Sequence, residues 1–198
     1  MPAVILLLLS LAFPMMVAGA DEPEVIEGCY PLTLKDIANF KVPRFEEYAV
    51  TIAFTGQLAT PDVKSQARAR RFRTMIRREA AQGPNFAGHY TIVWWGCGTA
   101  CIEFAIVDAK SGRVFFSSGL SYIDGTFVGI HTSEPEPELT TLRYRLDSSL
   151  LIVIGAPEER ETRAGVTYYE WNGKHLNKLR FIRSDKKICR EGRDVVEK

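Results

Sequence analysis

The chain has 198 residues, 25 of them basic and 24 acidic, for a formal net charge of +1. That balance argues against a protein that holds nucleic acid or another bulk polyanion by charge alone, because such proteins carry a clear basic excess. A hydrophobic share of 46%, with 11% aromatic residues, is enough to bury a core, so the expectation is a folded domain rather than a disordered chain.

Val4 to Val17 is an apolar run broken only by Ser10 and Pro14; Ala18-Gly19-Ala20 and the acidic stretch Asp21-Glu22-Pro23-Glu24 follow it. An apolar core ahead of a small-x-small triplet is what export machinery and signal peptidase recognise. The run is short of the ~20 apolar residues that a membrane span needs. The expected organisation is a signal peptide over residues 1–20 and one globular domain over 21–198, periplasmic or secreted, with no membrane span after cleavage. All charged residues lie beyond Ala20, so the charge balance belongs to the mature domain. In an oxidising compartment, four cysteines are expected to form two disulfides. Three connectivities are open. The favoured one joins Cys97 to Cys101 across a short turn and Cys29 to Cys189 across the length of the domain.

Residues 22–44 mix proline, charge and scattered apolar positions and read as an irregular lead-in. Tyr48 to Phe54 has the β-branched and aromatic content of a strand. A long helix is expected next: Thr60 as N-cap, Pro61 at the first helical position, Asp62 near the positive end of the dipole, and Gly83-Pro84 as the stop after Gln82. Phe72, Met75, Ile76 and Ala80 share one face at helical spacing.

Beyond Pro84 the pattern is one of strands. Thr91 to Gly96 and Cys101 to Val107 come first, then a turn over Asp108 to Gly112, Val114 to Ser117, and Tyr122 to Ile130. An acidic loop, Glu134-Pro-Glu-Pro-Glu138, precedes Leu142 to Leu146 and Leu150 to Ile154, which flank the turn Asp147-Ser148-Ser149. Val166 to Trp171 and His175 to Ile182 flank Asn172-Gly173, a hairpin signal that calls for positive φ at both central residues. The expected fold class is α+β, mostly β: an antiparallel meander, as a curved sheet or sandwich, with one long helix packed on it. The expected core is Ile52, Phe54, Phe72, Ile76, Ile92, Trp94, Phe104, Ile106, Ile152, Ile154, Tyr168 and Phe181.

Two blocks stand out: Asn85-Phe86-Ala87-Gly88-His89-Tyr90, and Trp94-Trp95-Gly96-Cys97-Gly98-Thr99-Ala100-Cys101. The pairing resembles an uncharacterised group of small exported bacterial proteins with an Asn-Phe-Ala-Gly-His-Tyr block and a Trp-Gly-Cys-Gly-Thr-x-Cys block. The likeness is best over residues 71–116. It implies export and a disulfide at Cys97 and Cys101, and brings no activity.

On their own chemistry, Gly96 and Gly98 let the chain turn tightly around Cys97. A bonded Cys97–Cys101 would staple two strands. The Cys-x3-Cys spacing differs from the Cys-x-x-Cys of thiol oxidoreductases, and zinc would need two further ligands beyond the pair, of which His89 is one candidate. Asn85 and His89 read either as locally satisfied turn residues or, with Tyr90 and Trp95, as the lining of a ligand- or partner-binding pocket. Adjacent Trp94 and Trp95 must face opposite sides of a strand; the expectation puts Trp94 in the core and Trp95 at the surface. Lys64, Arg68, Arg70, Arg71, Arg73, Arg77 and Arg78 make the expected helix basic, which reads as a solvated outer face, as an anion-attracting surface represented by Arg68, Arg71 and Arg78, or as a patch neutralised internally by Glu134, Glu136 and Glu138.

Hydrolase, zinc-protease, phosphate-loop and haem motifs are absent, and three histidines (His89, His131, His175) form no paired motif. The expected function is therefore a non-enzymatic periplasmic or secreted binding protein: an inhibitor, an immunity-type factor or an envelope accessory factor. Its partner would be an unknown protein or envelope ligand, and no cofactor or metal is implied. The alternative is a small exported hydrolase or thiol-dependent enzyme using His89 with Cys97 or a carboxylate such as Glu103 or Asp108.

Overall fold

The computed structural model describes residues 24–27, 32, 34–52, 54–125 and 140–185. The expected signal peptide, Cys29, Cys189, His131 and the acidic loop at 134–138 lie outside the described residues. Nine strands form a single mixed, largely antiparallel open sheet: β1 Val25–Ile26, β2 Tyr90–Gly98, β3 Cys101–Asp108, β4 Val114–Phe115, β5 Ile123–Asp124, β6 Leu142–Tyr144, β7 Leu150–Pro157, β8 Gly165–Trp171 and β9 Leu176–Ser184. Their order is β1-β9-β8-β7-β5-β3-β2, with β4 paired to β3 and β6 to β7. Among the described strands only β1 runs parallel to its neighbour, β9. The β2–β3 and β7–β8–β9 units are the consecutive antiparallel ladders that the strand pattern implied, whereas β5 wedges between β3 and β7 and departs from a meander.

The β5–β7 crossing is close. A Cβ on Gly155 would stand 2.3 Å from the Asp124 carbonyl oxygen, and its φ is +141°, so only glycine lets these strands meet. The two wings joined there contribute to one apolar cluster: Ile92, Phe104 and Ile106 from β2 and β3, Leu151, Val153, Tyr169 and Trp171 from β7 and β8. The sheet therefore curves around that cluster. On the outer face of the β7–β9 wing, Leu32 and Ile37 pack with Ile26 of β1, Leu150, Ile152, Ile154 and Tyr168. On the outer face of the β2–β3 wing, Ala69, Ile76 and Ala80 cover Val93, Trp95, Ala105 and Val107.

The expected long helix is corrected. The structure has two short helices, α2 Ala67–Arg71 and α3 Arg73–Ala80, besides a single turn, α1, at Leu34–Ile37. Residues 59–62 form no helix because their backbone bonds elsewhere: Ala59 N–H donates to the Ala109 carbonyl and Asp62 N–H to that of Gly112, at 2.9 and 2.7 Å. The Asp62 carboxylate then accepts from the backbone N–H groups of Lys64 and Ser65, closing a turn where the helix was expected to run. Phe72 separates α2 from α3 with φ −101° and ψ 20°, and its ring lies against Trp95 with centroids 4.5 Å apart. The apolar face read from the spacing of Phe72, Met75, Ile76 and Ala80 does pack on the sheet.

Among the described residues of 48–54, the expected strand is also absent. A 3-10 turn spans Phe45–Tyr48, and a lone bridge joins Ala49 to Ser148. Ser148 Oγ donates to the carbonyls of Phe45 and Tyr48, and Val50 N–H donates to the Asp147 carbonyl. The β6–β7 turn thus takes up the backbone groups that a sheet neighbour would have used, and Ile52 is 54% exposed rather than core. The β8–β9 hairpin forms, but through a four-residue loop, since Trp171 pairs with Leu176. Gly173 alone of its two central residues has positive φ. Asn172 Oδ1 accepts from the N–H groups of Lys174 and His175 instead, an Asx-type closure that needs no second left-handed residue. Among the described residues no helix is long and apolar enough to cross a membrane.

Candidate functional site

Strand β2 is the last in the sheet order, so one of its edges has no strand partner among the described residues. The Asn85 side chain covers it in part: Nδ2 donates to the Ile92 carbonyl at 3.1 Å and Oδ1 accepts the Ile92 N–H at 2.7 Å. One carboxamide thus replaces a strand residue and blunts the edge. The loop that follows is left-handed at Ala87 (φ 44°) and Gly88 (φ 81°). A Cβ on Gly88 would come within 2.8 Å of the Thr51 carbonyl oxygen, while its N–H donates to Leu146 at 2.7 Å. Phe86 is fully buried and meets Tyr144 edge-on. This block acts first as a clasp that fixes the start of β2 against residues 48–51 and the β6–β7 turn.

His89 and Tyr90 do come together, with ring centroids 4.2 Å apart, and Tyr90 meets Trp171 edge-on at 5.4 Å. Asn85 is committed to Ile92, and Trp95 is only 4% exposed beneath Phe72. The four residues expected to line one pocket therefore do not form one surface. The two tryptophans are placed opposite to the expectation: Trp94 is 53% exposed and Trp95 is in the core. Trp95 lies on the face of β2 that the helices cover, and Trp94, across from Phe104, lies on the other.

His89 Nε2 lies 3.7 Å from Asp108 Oδ1. The Asp108 carboxylate also accepts from Lys110 N–H and the Ser111 hydroxyl, which hold the 108–112 turn. Burial and the neighbouring Lys110 ammonium lower the His89 pKa from 6.5, against the opposing pull of Asp108, so the ring is neutral at neutral pH. Between that lowered value and 6.5, the unfolded chain binds a proton that the folded chain refuses, so stability falls as pH drops through this window. Thermal melts between about pH 7.5 and 5 should show a larger loss for the wild type than for His89→Gln; parallel curves would exclude a His89 contribution.

Cys97 and Cys101 are disulfide-bonded, with Cα atoms 5.1 Å apart across the β2–β3 turn. A bridge that closes so short a loop is worth ~2 kcal/mol by chain entropy. His89 precedes β2 and Cys97 lies near its far end. At ~3.3 Å per residue the two are roughly 25 Å apart, well beyond the reach a nucleophile and its base require. Glu103 is likewise engaged, by Arg68 at 2.9 Å.

The α2–α3 face gathers the remaining features. Arg68 is held by Glu103 and the Ser121 carbonyl and sits 4.6 Å over the Phe116 ring, and Arg78 pairs with Glu79. Arg68 is thus committed within the domain, whereas Arg78 stays exposed with one surface ion pair. Arg70, Arg71, Arg73 and Arg77 are exposed and make no ion pair with any described acidic residue. Arg71 stacks over Phe72 and lines a cleft of about 420 Å³ with Arg68, Phe72, Glu103, Ser121 and Tyr122. Ser121 and Tyr122 carried no signal in the sequence, because only the fold brings residues 121 and 122 beside α2. Among the described residues no three His, Cys, Asp or Glu side chains gather as a metal site. Searches against protein-family models, curated proteins and solved structures find no match for this chain.

Proposed function

We propose that this protein is an exported, non-enzymatic binding protein, an inhibitor, immunity-type or envelope accessory factor, and that it recognises an acidic macromolecular partner through the arginine-rich face of α2 and α3. One observation carries the reading: Arg70, Arg71, Arg73 and Arg77 are exposed without a described acidic partner, beside a cleft with aromatic walls at Phe72 and Tyr122. Arginine suits that role, since its planar fork pairs with carboxylates and stacks on aromatic rings at little entropic cost. Both helices are anchored to the β2–β3 wing through Ala69, Ile76 and Ala80, so the charges are presented on a rigid support. Export is supported by the apolar leader and by the Cys97–Cys101 bridge, a bond at home in an oxidising compartment. The resemblance to small exported bacterial proteins points the same way.

The test is recovery of envelope proteins on the immobilised mature domain, compared with Arg71→Glu/Arg77→Glu. Both side chains are exposed, so the variant should melt like the wild type. Partners retained at ~0.1 M salt should be released near ~0.5 M, as expected for exposed charge pairs. Their recovery on the variant should fall about tenfold or more, because reversing two charges converts attraction into repulsion. Equal recovery on both proteins, or retention indifferent to salt, would remove the arginine face from the function.

A further inference from the structure

We propose that the cavity between the β3–β4 ribbon and the β8–β9 hairpin is a binding site for a small planar aromatic carboxylate, separate from the arginine face. The cavity measures about 300 Å³, at the lower end of the range for small-molecule pockets and about twice the size of a cavity that holds benzene. Its lining is mixed, with a polar side and an apolar side that includes Ile106, Leu120 and Leu176. Phe115 and Trp171 also line it, with centroids 5.2 Å apart and planes at 75°. The two rings meet each other edge to face, an arrangement aromatic quadrupoles favour, and put aromatic surface into the wall against which a flat ligand can pack.

The charge of the lining selects among flat ligands. Lys174 and His175 line the cavity with Ser117 and Ser118, and no Asp or Glu does. Lys174 and His175 are exposed, so a carboxylate near them keeps part of its hydration while the ring is buried. That spares the cost of taking an ion fully out of water. A highly charged phosphate would gain nothing from the apolar side of the cavity. The loop carrying Lys174 and His175 is held in place, since Asn172 Oδ1 accepts both of their backbone N–H groups at 3.0 and 2.8 Å. Little ordering is then left for the ligand to impose.

The probes are 2-naphthoate and its uncharged counterpart 2-naphthamide, titrated calorimetrically into the mature domain and followed by the indole N–H resonances of the three tryptophans. Naphthoate should bind with a dissociation constant below ~1 mM and shift the Trp171 resonance. Naphthamide should bind at least about fivefold more weakly, as should naphthoate to Lys174→Glu, the loss expected for one partly exposed charge contact and more on reversal. Arg71→Glu/Arg77→Glu should bind naphthoate like the wild type, which separates this site from the partner face. The proposal is overturned by no binding of naphthoate up to ~10 mM, by equal affinity for acid and amide, by an unchanged affinity in Lys174→Glu, or by shifts confined to Trp94 or Trp95.

Discussion

Phe86→Ala is expected to cost about 3–5 kcal/mol of folding stability, the range for truncating a fully buried aromatic ring. The Phe86 side chain has no solvent exposure and packs in the cluster that both wings of the sheet share. It also meets Tyr144 of β6 edge-on, at 6.2 Å between centroids. Its backbone is engaged too: Phe86 N–H donates to the Tyr90 carbonyl and Tyr90 N–H returns to Phe86, both at 2.9 Å. Backbone bonds of this kind hold the chain in place, so the structure cannot readily collapse into the space the ring leaves. Urea melts at neutral pH measure the loss, with an unchanged slope expected if the native state keeps its compactness. A loss below about 1 kcal/mol would mean that Phe86 is not the wedge described.

Asn85→Ala should be comparably damaging, at about 2–6 kcal/mol, since it strips partners from two backbone groups at roughly 1–3 kcal/mol each. The Ile92 N–H and carbonyl both turn to the Asn85 carboxamide, and Ile92 is 2% exposed, so water reaches its backbone poorly. Asn85→Asp keeps the acceptor and loses the donor, leaving a carboxylate against the Ile92 carbonyl, and should also destabilise. This separates two roles for the residue. A purely ligand-facing Asn85 would leave the melting temperature unchanged in both variants and alter only binding.

Together these residues explain the unusual Asn-Phe-Ala-Gly-His-Tyr block in structural terms. Asn85 covers the edge of β2, Phe86 fills the shared core, Ala87 and Gly88 take the left-handed turn, and the Gly88 backbone passes close to Thr51. His89 and Tyr90 remain as its half-exposed members. A distinctive sequence block is readily taken for a binding site; most of this one is occupied in closing the fold.

The site was less legible than the fold because it depends on pairing between distant segments. The chain showed a cluster of arginines but not which were already engaged. Arg68 is held by Glu103, 35 positions away, and by Ser121, 53 positions away. The tryptophan pair shows the same limit on a smaller scale. Alternation guarantees that Trp94 and Trp95 face apart, yet Ile92 and Val93 before them are both buried, so hydrophobicity along β2 carried no phase. The placement of α2 and α3 over one face decided it.

What the sequence determined alone were the features set by neighbouring residues: the helical spacing from Phe72 to Ala80, the strand–turn–strand units around residues 99, 148 and 173, and a disulfide across four positions. Each depends on side-chain period or turn chemistry within a few residues, where propensity is informative. Tertiary structure decided where the helix begins, what becomes of residues 48–54, how β5 enters the sheet and which arginines lack an acidic partner among the described residues. In each case a backbone or charged group had a local partner in prospect and found a distant one, such as Ala59 with Ala109 or Val50 with Asp147. Such contacts form only once the chain has folded back on itself, and local pattern holds no record of them.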